Sequence, residues 1–191
     1  MSEISVAAAK SELRKRLISE RNLVHVSPNE ESTVGFTRNL SLLCAQQKIQ
    51  TVACYLSFGS EPDTHSFLVW ARTNEIRVLL PISLPDGELE WVLSSGETTR
   101  AGMFDFDEAT GELADLAEAE LIVVPALAVD RRGVRLGKGK GYYDRALGDY
   151  RNIPTYALVY DSEVLDEIPA ETHDVAVDGF VTETRIIRIA N

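Results

Sequence analysis

Leu121-Ile122-Val123-Val124-Pro125-Ala126-Leu127-Ala128-Val129-Asp130-Arg131-Arg132-Gly133-Val134-Arg135-Leu136-Gly137-Lys138-Gly139-Lys140-Gly141-Tyr142-Tyr143-Asp144-Arg145 runs from an unbroken apolar stretch into a glycine-rich basic segment. The apolar part predicts a strand over residues 121–124, buried on both faces. Gly133, Gly137, Gly139 and Gly141 leave the backbone open to close approach by a ligand. Arg131, Arg132, Arg135, Lys138, Lys140 and Arg145 place six positive charges around it. Bare N–H groups plus cations, between a buried strand and a helix start, are what phosphate binding requires.

Strands and helices alternate outward from this stretch. Residues 5–24 read as a helix, with Val6, Ala9, Leu13 and Leu17 as its apolar stripe and Lys10 and Arg14 four apart on one face. Ser27-Pro28-Asn29-Glu30 reads as a capping box that starts a second helix reaching Gln47. Strands are expected over 51–56, 77–80, 89–93 and 155–160, and two short ones over 175–182 and 185–189. Helices are expected from 63 or 64 to 74, over 115–120, over 142–147 and over 162–167, while 99–111 reads as a loop. The alternation predicts a single domain over 1–191, an α/β fold of three α/β/α layers with a central, largely parallel sheet. Ligands of such sheets sit at the carboxyl ends of strands, which brings Ser57–Asp63, the glycine loop and His173-Asp174 toward one cleft.

Composition narrows the function. The chain of 191 residues has a net charge of −11, which argues against general nucleic-acid binding. Residues 131–145 nevertheless hold a local +5, leaving −16 for the remainder. An acidic chain that gathers cations beside glycines directs them at a small anion; a solvated basic loop is the alternative. The longest apolar run, 121–129, is too short to span a membrane, and no long apolar segment follows Glu3 to read as a secretory signal. A cytoplasmic location is expected, with Cys44 and Cys54 as reduced core thiols.

The glycine loop matches neither common nucleotide motif. Tyr142 follows Gly141, so no Ser or Thr stands where a P-loop holds Mg²⁺, and a third glycine for a dinucleotide fingerprint is misplaced. His25, His65 and His173 lack zinc spacing, and no G-x-S-x-G is present. Read alone, Lys10 and Arg14 are helix charges paired with Glu3 or Glu12, Glu61 is a surface carboxylate, and Asp144 and Asp174 are caps or surface charges. His173, read alone, is a structural histidine.

Read together, these residues change meaning. The 124–145 run closely resembles the signature of the 5-formyltetrahydrofolate cyclo-ligase (5,10-methenyltetrahydrofolate synthetase) family. Lys10-Ser11-Glu12-Leu13-Arg14 resembles its K-x-x-L-R. Tyr55-Leu56-Ser57-Phe58-Gly59-Ser60-Glu61-Pro62-Asp63-Thr64 resembles its Y-x-S-x-x-x-E-x-D-T. His173-Asp174-Val175-Ala176-Val177-Asp178 resembles its H-D-x-x-x-D, so the likeness spans the chain. One departure is Glu108-Ala109, where the family usually carries Glu-Pro.

The resemblance implies ATP-dependent cyclisation of 5-formyltetrahydrofolate to 5,10-methenyltetrahydrofolate, with release of ADP and phosphate. It implies that Lys10, Arg14, Arg135, Gly137, Lys138, Gly139, Lys140, Gly141, Tyr142 and Tyr143 hold ATP. It places the folate on Leu56, Glu61, Lys138, Gly139, Lys140, Gly141 and Tyr142, and Mg²⁺ on Asp144 and Asp174. Lys138, Arg135 and Tyr142 are the implied catalytic residues. The partners expected are small-molecule substrates, with no nucleic acid and no membrane, and a monomer is favoured. A binding protein that kept the fold without turnover, and a nucleic-acid-binding domain using the basic loop, are the competing readings.

Overall fold

Two capped helices open the fold. In the computed structural model, which describes residues 5–25, 29–99, 108–172 and 174–189, the Ser5 hydroxyl accepts from the Ala8 N–H to start α1 (Val6–Val24). The Asn29 side chain accepts from the Glu31 N–H to start α2 (Glu30–Gln47). The cap is thus Asn29; Ser27 and Pro28 of the expected capping box, like Glu3 and His173, lie outside the described residues.

The chain continues through β1 (Thr51–Ala53), α3 (His65–Thr73), β2 (Arg77–Ser83), β3 (Leu89–Thr99), β4 (Glu108–Ala114) and β5 (Leu121–Pro125). Then come β6 (Ala128–Asp130), β7 (Arg135–Leu136), α4 (Tyr142–Gly148), β8 (Thr155–Leu158), β9 (Val164–Leu165), β10 (Gly179–Val181) and β11 (Ile186–Arg188). Eight strands form one sheet in the order β11-β10-β8-β5-β1-β2-β3-β4. Its centre, β10 to β2, is parallel; β11 joins one edge antiparallel, and the β3–β4 ribbon joins the other.

The opening apolar run behaves as its pattern requires. Leu121 and Val123 of β5 pack on one face of the sheet with Phe36 and Leu40 of α2 and Phe67 and Leu68 of α3. Ile122 and Val124 pack on the other with Leu147 of α4, Ile153 and Val177. The period of two sends alternate residues to two cores, so both faces of the strand are apolar. The three layers are those expected from the sequence.

Several local expectations change. Residues 108–111, read as loop, belong to β4, and Thr99 ends β3; 100–107 lie outside the described residues. The ribbon's register breaks between Ser94 and Thr98, an irregularity that bends strands and scrambles the alternation a sequence reading relies on. The helices expected over 115–120 and 162–167 are single 3-10 turns, Leu116–Glu118 and Asp161–Glu163, the second followed by β9. A helix there would carry Val164 away from its pairing with Val129.

The first helix differs most. The residues it buries are Lys10, Leu17 and Arg21, while Val6 of the expected stripe is 39% exposed. The cause is its location. Leu17 packs with Leu127, Ala128, Leu136 and Ile168 on a second, three-stranded sheet, β7-β6-β9, rather than on the main one. That small sheet is tied together by Asp130, which is fully buried. Its carboxylate accepts from the N–H groups of Arg132, Val134 and Ile168 and from the Arg132 guanidinium. Burial pushes the Asp130 pKa up, but these donors outweigh it and hold the carboxyl below its ordinary range. A carboxyl depressed in the folded state stabilises above its unfolded pKa of about 4 and loses that contribution as pH falls through the folded value. Asp130→Ala should therefore cost about 3 kcal/mol at neutral pH and flatten the acid limb of the stability curve, read by denaturant melts between pH 3 and 7. An equally steep acid limb in the variant would contradict this role.

Candidate active site

The sheet's order fixes where a ligand can sit. β1 and β5 are neighbours, yet the chain leaves β1 toward β2 and leaves β5 toward β8. The crevice outside their carboxyl ends is the switch point at which open α/β sheets bind ligands. A cleft of about 540 Å³ lies there, lined by Tyr55 and Leu56 after β1, Pro125 and Ala126 at the end of β5, and Pro81 and Ser83 of β2.

The segment after β1 is held as a rigid arch. The Ser57 N–H donates to Thr64 Oγ1 at 3.1 Å, and the Thr64 N–H donates to Ser57 Oγ at 3.0 Å. Thr64 Oγ1 also donates to the Tyr55 carbonyl at 2.7 Å, and the Tyr55 hydroxyl donates to the Pro62 carbonyl at 3.2 Å. This clasp ends β1 earlier than the sequence implied and presents Glu61 to the cleft. The Glu61 side chain is 7% exposed; Oε1 accepts from Lys138 Nζ at 2.6 Å and Oε2 from the Phe58 N–H at 3.2 Å. The Lys138 ammonium also lies 4.0 Å from the Phe58 ring centroid, a cation–π contact that fixes it further.

The glycine loop forms the opposite wall. Gly139 (φ +92°) and Gly141 (φ +71°) adopt left-handed backbone that other residues rarely take. A Cβ on Gly139 would also press on the Arg14 guanidinium at 3.3 Å. Arg14 Nε donates to the Gly137 carbonyl at 3.0 Å, so α1 and the loop are stapled together. Arg145 braces the loop's far end, donating to the carbonyls of Gly87 and Lys140. The Tyr142 hydroxyl donates to the Leu84 carbonyl at 3.4 Å.

Two buried cations flank the loop. Arg135 is 6% exposed; its Nη2 donates to Asp144 Oδ1 at 2.6 Å, its guanidinium lies 5.9 Å from the Tyr143 ring centroid, and its buried Nε has no hydrogen-bond partner among the described residues. Burial drives the Arg135 pKa below the ordinary arginine range, against the pull of Asp144 and Asp174. Burial likewise pushes the Tyr143 hydroxyl well up. Lys10, 3% exposed, donates to both oxygens of Asp174 at 2.7 and 2.6 Å and to Glu171 at 3.0 Å.

Every residue to which the resemblance gave a part in holding ATP, folate or Mg²⁺ lines this one cleft: Lys10, Arg14, Leu56, Glu61, Arg135, Gly137, Lys138, Gly139, Lys140, Gly141, Tyr142, Tyr143, Asp144 and Asp174. The simpler reading of Lys10 and Arg14 as helix charges paired with nearby acids does not describe them. The basic stretch itself divides. Arg131 pairs with Asp166, Arg132 with Asp130 and Glu167, and Arg145 with Glu88 and backbone carbonyls, so only Arg135, Lys138 and Lys140 of the six face the cleft. Glu108 also lines it, and the sequence reading had given it no site role. Its signal was the polar residue kept where Ala109 replaces the family's proline.

Some chemistries lose their basis. Burial raises both cysteine thiols to about 12, so neither is a nucleophile at neutral pH. Among the described residues no three His, Cys, Asp or Glu side chains converge as a metal site. Asp144 and Asp174 are two carboxylates on one cleft, each in an ion pair. That set is too small for a protein-only cage, but it suits Mg²⁺, which takes one or two carboxylates together with substrate phosphates. No described helix is long and apolar enough to cross a membrane.

Known proteins resemble this chain along most of its length. The model of the 5-formyltetrahydrofolate cyclo-ligase family matches residues 6–183. The 5-formyltetrahydrofolate cyclo-ligase of Mycolicibacterium smegmatis is 37% identical over 186 residues, covering 93% of this chain and 95% of that protein. The protein of the same name from Escherichia coli K12 is 27% identical over 144 residues, covering 71% and 79%. The solved structure of Aquifex aeolicus 5,10-methenyltetrahydrofolate synthetase superposes with a TM-score of 0.77 at 29% identity, covering 95% of this chain and 93% of that one. That of the Mycoplasma pneumoniae synthetase, at 24% identity and a TM-score of 0.70, shares the fold over 91% of this chain and 98% of its own. With the glycine loop, the Glu61 arch and the Lys10 pair on one cleft, and a family match across nearly the whole length, this chain belongs to the 5-formyltetrahydrofolate cyclo-ligase family.

Proposed function

We propose that this protein cyclises 5-formyltetrahydrofolate to 5,10-methenyltetrahydrofolate, consuming ATP and releasing ADP and phosphate. Arg135 is the observation that supports this reading best: a buried guanidinium, underpaired at Nε, on a cleft wall of glycine backbone. Such a group is costly unless an anion arrives to use it. The family match and the relatives' names supply the substrate class.

The chemistry follows from a poor leaving group. A formamide oxygen does not depart, so the γ-phosphoryl group passes to it: the new O–P bond forms as the bond to ADP breaks. The N10 amine then attacks the formyl carbon, its proton is released, and the C–O bond breaks as phosphate leaves. No protein nucleophile is needed. What this chain supplies is position and compensation of charge. Arg14, Lys138, Lys140 and the 137–141 backbone would hold the triphosphate, with Lys10 and Arg135 on the transferring group. Glu61 and Leu56 would bind the folate heterocycle, and the Tyr142 and Tyr143 rings would close the wall of the cleft. Asp144 and Asp174 would hold Mg²⁺ with the phosphates, and the ion, when bound, neutralises part of their charge.

Purified protein supplied with Mg-ATP and 5-formyltetrahydrofolate should produce the methenyl chromophore and ADP in equal amounts. Folded protein that binds both without turnover would defeat this assignment. Lys138→Ala should raise the ATP KM about tenfold, the loss of one charge-assisted contact, and lower kcat as well, because Glu61 loses its partner. Unchanged steady-state kinetics would remove Lys138 from the site.

A further inference from the structure

We propose that Glu108 is a substrate-binding residue of this cleft, whose carboxylate accepts an N–H of the folate heterocycle; the identity of that ligand rests on the function proposed above. Glu108 is 7% exposed, and its Oε1 is buried with no hydrogen-bond partner among the described residues. Buried carboxylate oxygens are normally satisfied, because removing one from water without a donor is costly. An orphaned acceptor on a ligand cleft marks where a ligand's donor belongs.

The rest of the cleft says which ligand. A carboxylate repels a triphosphate, and the cations that suit phosphates stand on the glycine loop and α1. Glu108 instead stands on β4, and the nearby strands contribute Pro81, Ser83 and Leu89 to the lining, a largely apolar surface that suits a flat ring. The ring of a reduced folate carries several N–H donors. Glu61 already has both oxygens engaged, one by Lys138 and one by the Phe58 N–H, so it offers few free lone pairs. Glu108 Oε1 is an acceptor that stands free. Its backbone is fixed, because Ala109 beside it is 2% exposed in the core and Glu108 is paired in register with Thr99.

This role differs from a structural one in a measurable way. A side chain with an unpaired buried oxygen does not stabilise the free protein, so Glu108→Gln and Glu108→Ala should melt at or above the wild-type temperature. Glu108→Ala should raise the 5-formyltetrahydrofolate KM at least tenfold and leave the ATP KM within twofold, with Glu108→Gln, which keeps one acceptor oxygen, falling between. Calorimetric titration with 5-formyltetrahydrofolate alone reads the same contact without turnover, so an inactive wild type would sink the proposed reaction and still allow this test. Weaker folate binding by Glu108→Ala supports the proposal. Equal folate affinity in wild type and variant, no folate binding by the wild type, a shift confined to ATP, or a marked loss of melting temperature would each overturn it.

Discussion

Replacing Arg135 with leucine should lower kcat by about two to three orders of magnitude while leaving a folded protein, the loss typical of one preorganised donor to developing charge. The residue's surroundings set that size. Arg135 sits on β7, whose backbone is fixed by β6, and its guanidinium is pinned by Asp144 and the Tyr143 ring. It cannot retreat into solvent, so its charge is present before substrate arrives and would need no reorganisation for the proposed phosphoryl transfer. Burial already disfavours that charge in the free protein, so leucine should not destabilise the fold in proportion. Arg135→Lys should recover part of the rate, since it restores charge without the planar fork. Single-turnover kinetics would separate the chemical step from binding. Wild-type kcat in Arg135→Leu would remove the residue from catalysis.

Arg21→Met should cost about 3–5 kcal/mol, the usual penalty for stripping one partner from a buried ion pair. Arg21 and Glu163 are each 5% exposed. Arg21 donates to both Glu163 oxygens, at 2.5 and 2.6 Å, and to the Ala126 carbonyl at 2.7 Å. Burial opposes the Glu163 charge and lifts its pKa even with the arginine present. Without Arg21 that lift grows. A carboxyl raised in the folded state penalises folding above its folded pKa, and the penalty fades as pH falls through that value. The variant should therefore melt about 10 °C low at pH 7 and approach wild type in mild acid. The double variant Arg21→Met, Glu163→Met should recover much of the loss. Equal melting temperatures for single variant and wild type would mean the pair contributes nothing.

What was legible in the sequence follows from which signals are local. The 121–124 strand declares itself because both neighbouring layers need apolar side chains at consecutive positions. The glycine loop declares itself because its residue types have few other uses. Lys10, Arg14, Glu61 and Asp174 gained meaning only from their order along a known family pattern, since 164 positions separate Lys10 from its partner. The α1 stripe misled because the helix buries Lys10 on the cleft and Arg21 on Glu163, residue types that periodicity counts as solvent-facing. The β4 segment misled because its ribbon breaks register, and with it went Glu108, whose proposed role rests on an oxygen with no partner among the described residues.

Three of the cleft's cations stand in the arms of its own acids: Lys10 on Asp174 and Glu171, Arg135 on Asp144, Lys138 on Glu61. Under the proposed function, a triphosphate arriving there would meet the unpartnered Arg135 Nε and would compete with these carboxylates for the other donors. Binding is then an exchange of anions, gaining only the difference between phosphate and carboxylate. Under the same proposal, the exchange run backwards would help spent nucleotide and phosphate to leave, because the displaced carboxylates belong to the cleft's own walls. A site built from naked cations would grip its products; one built from internal pairs would let them go.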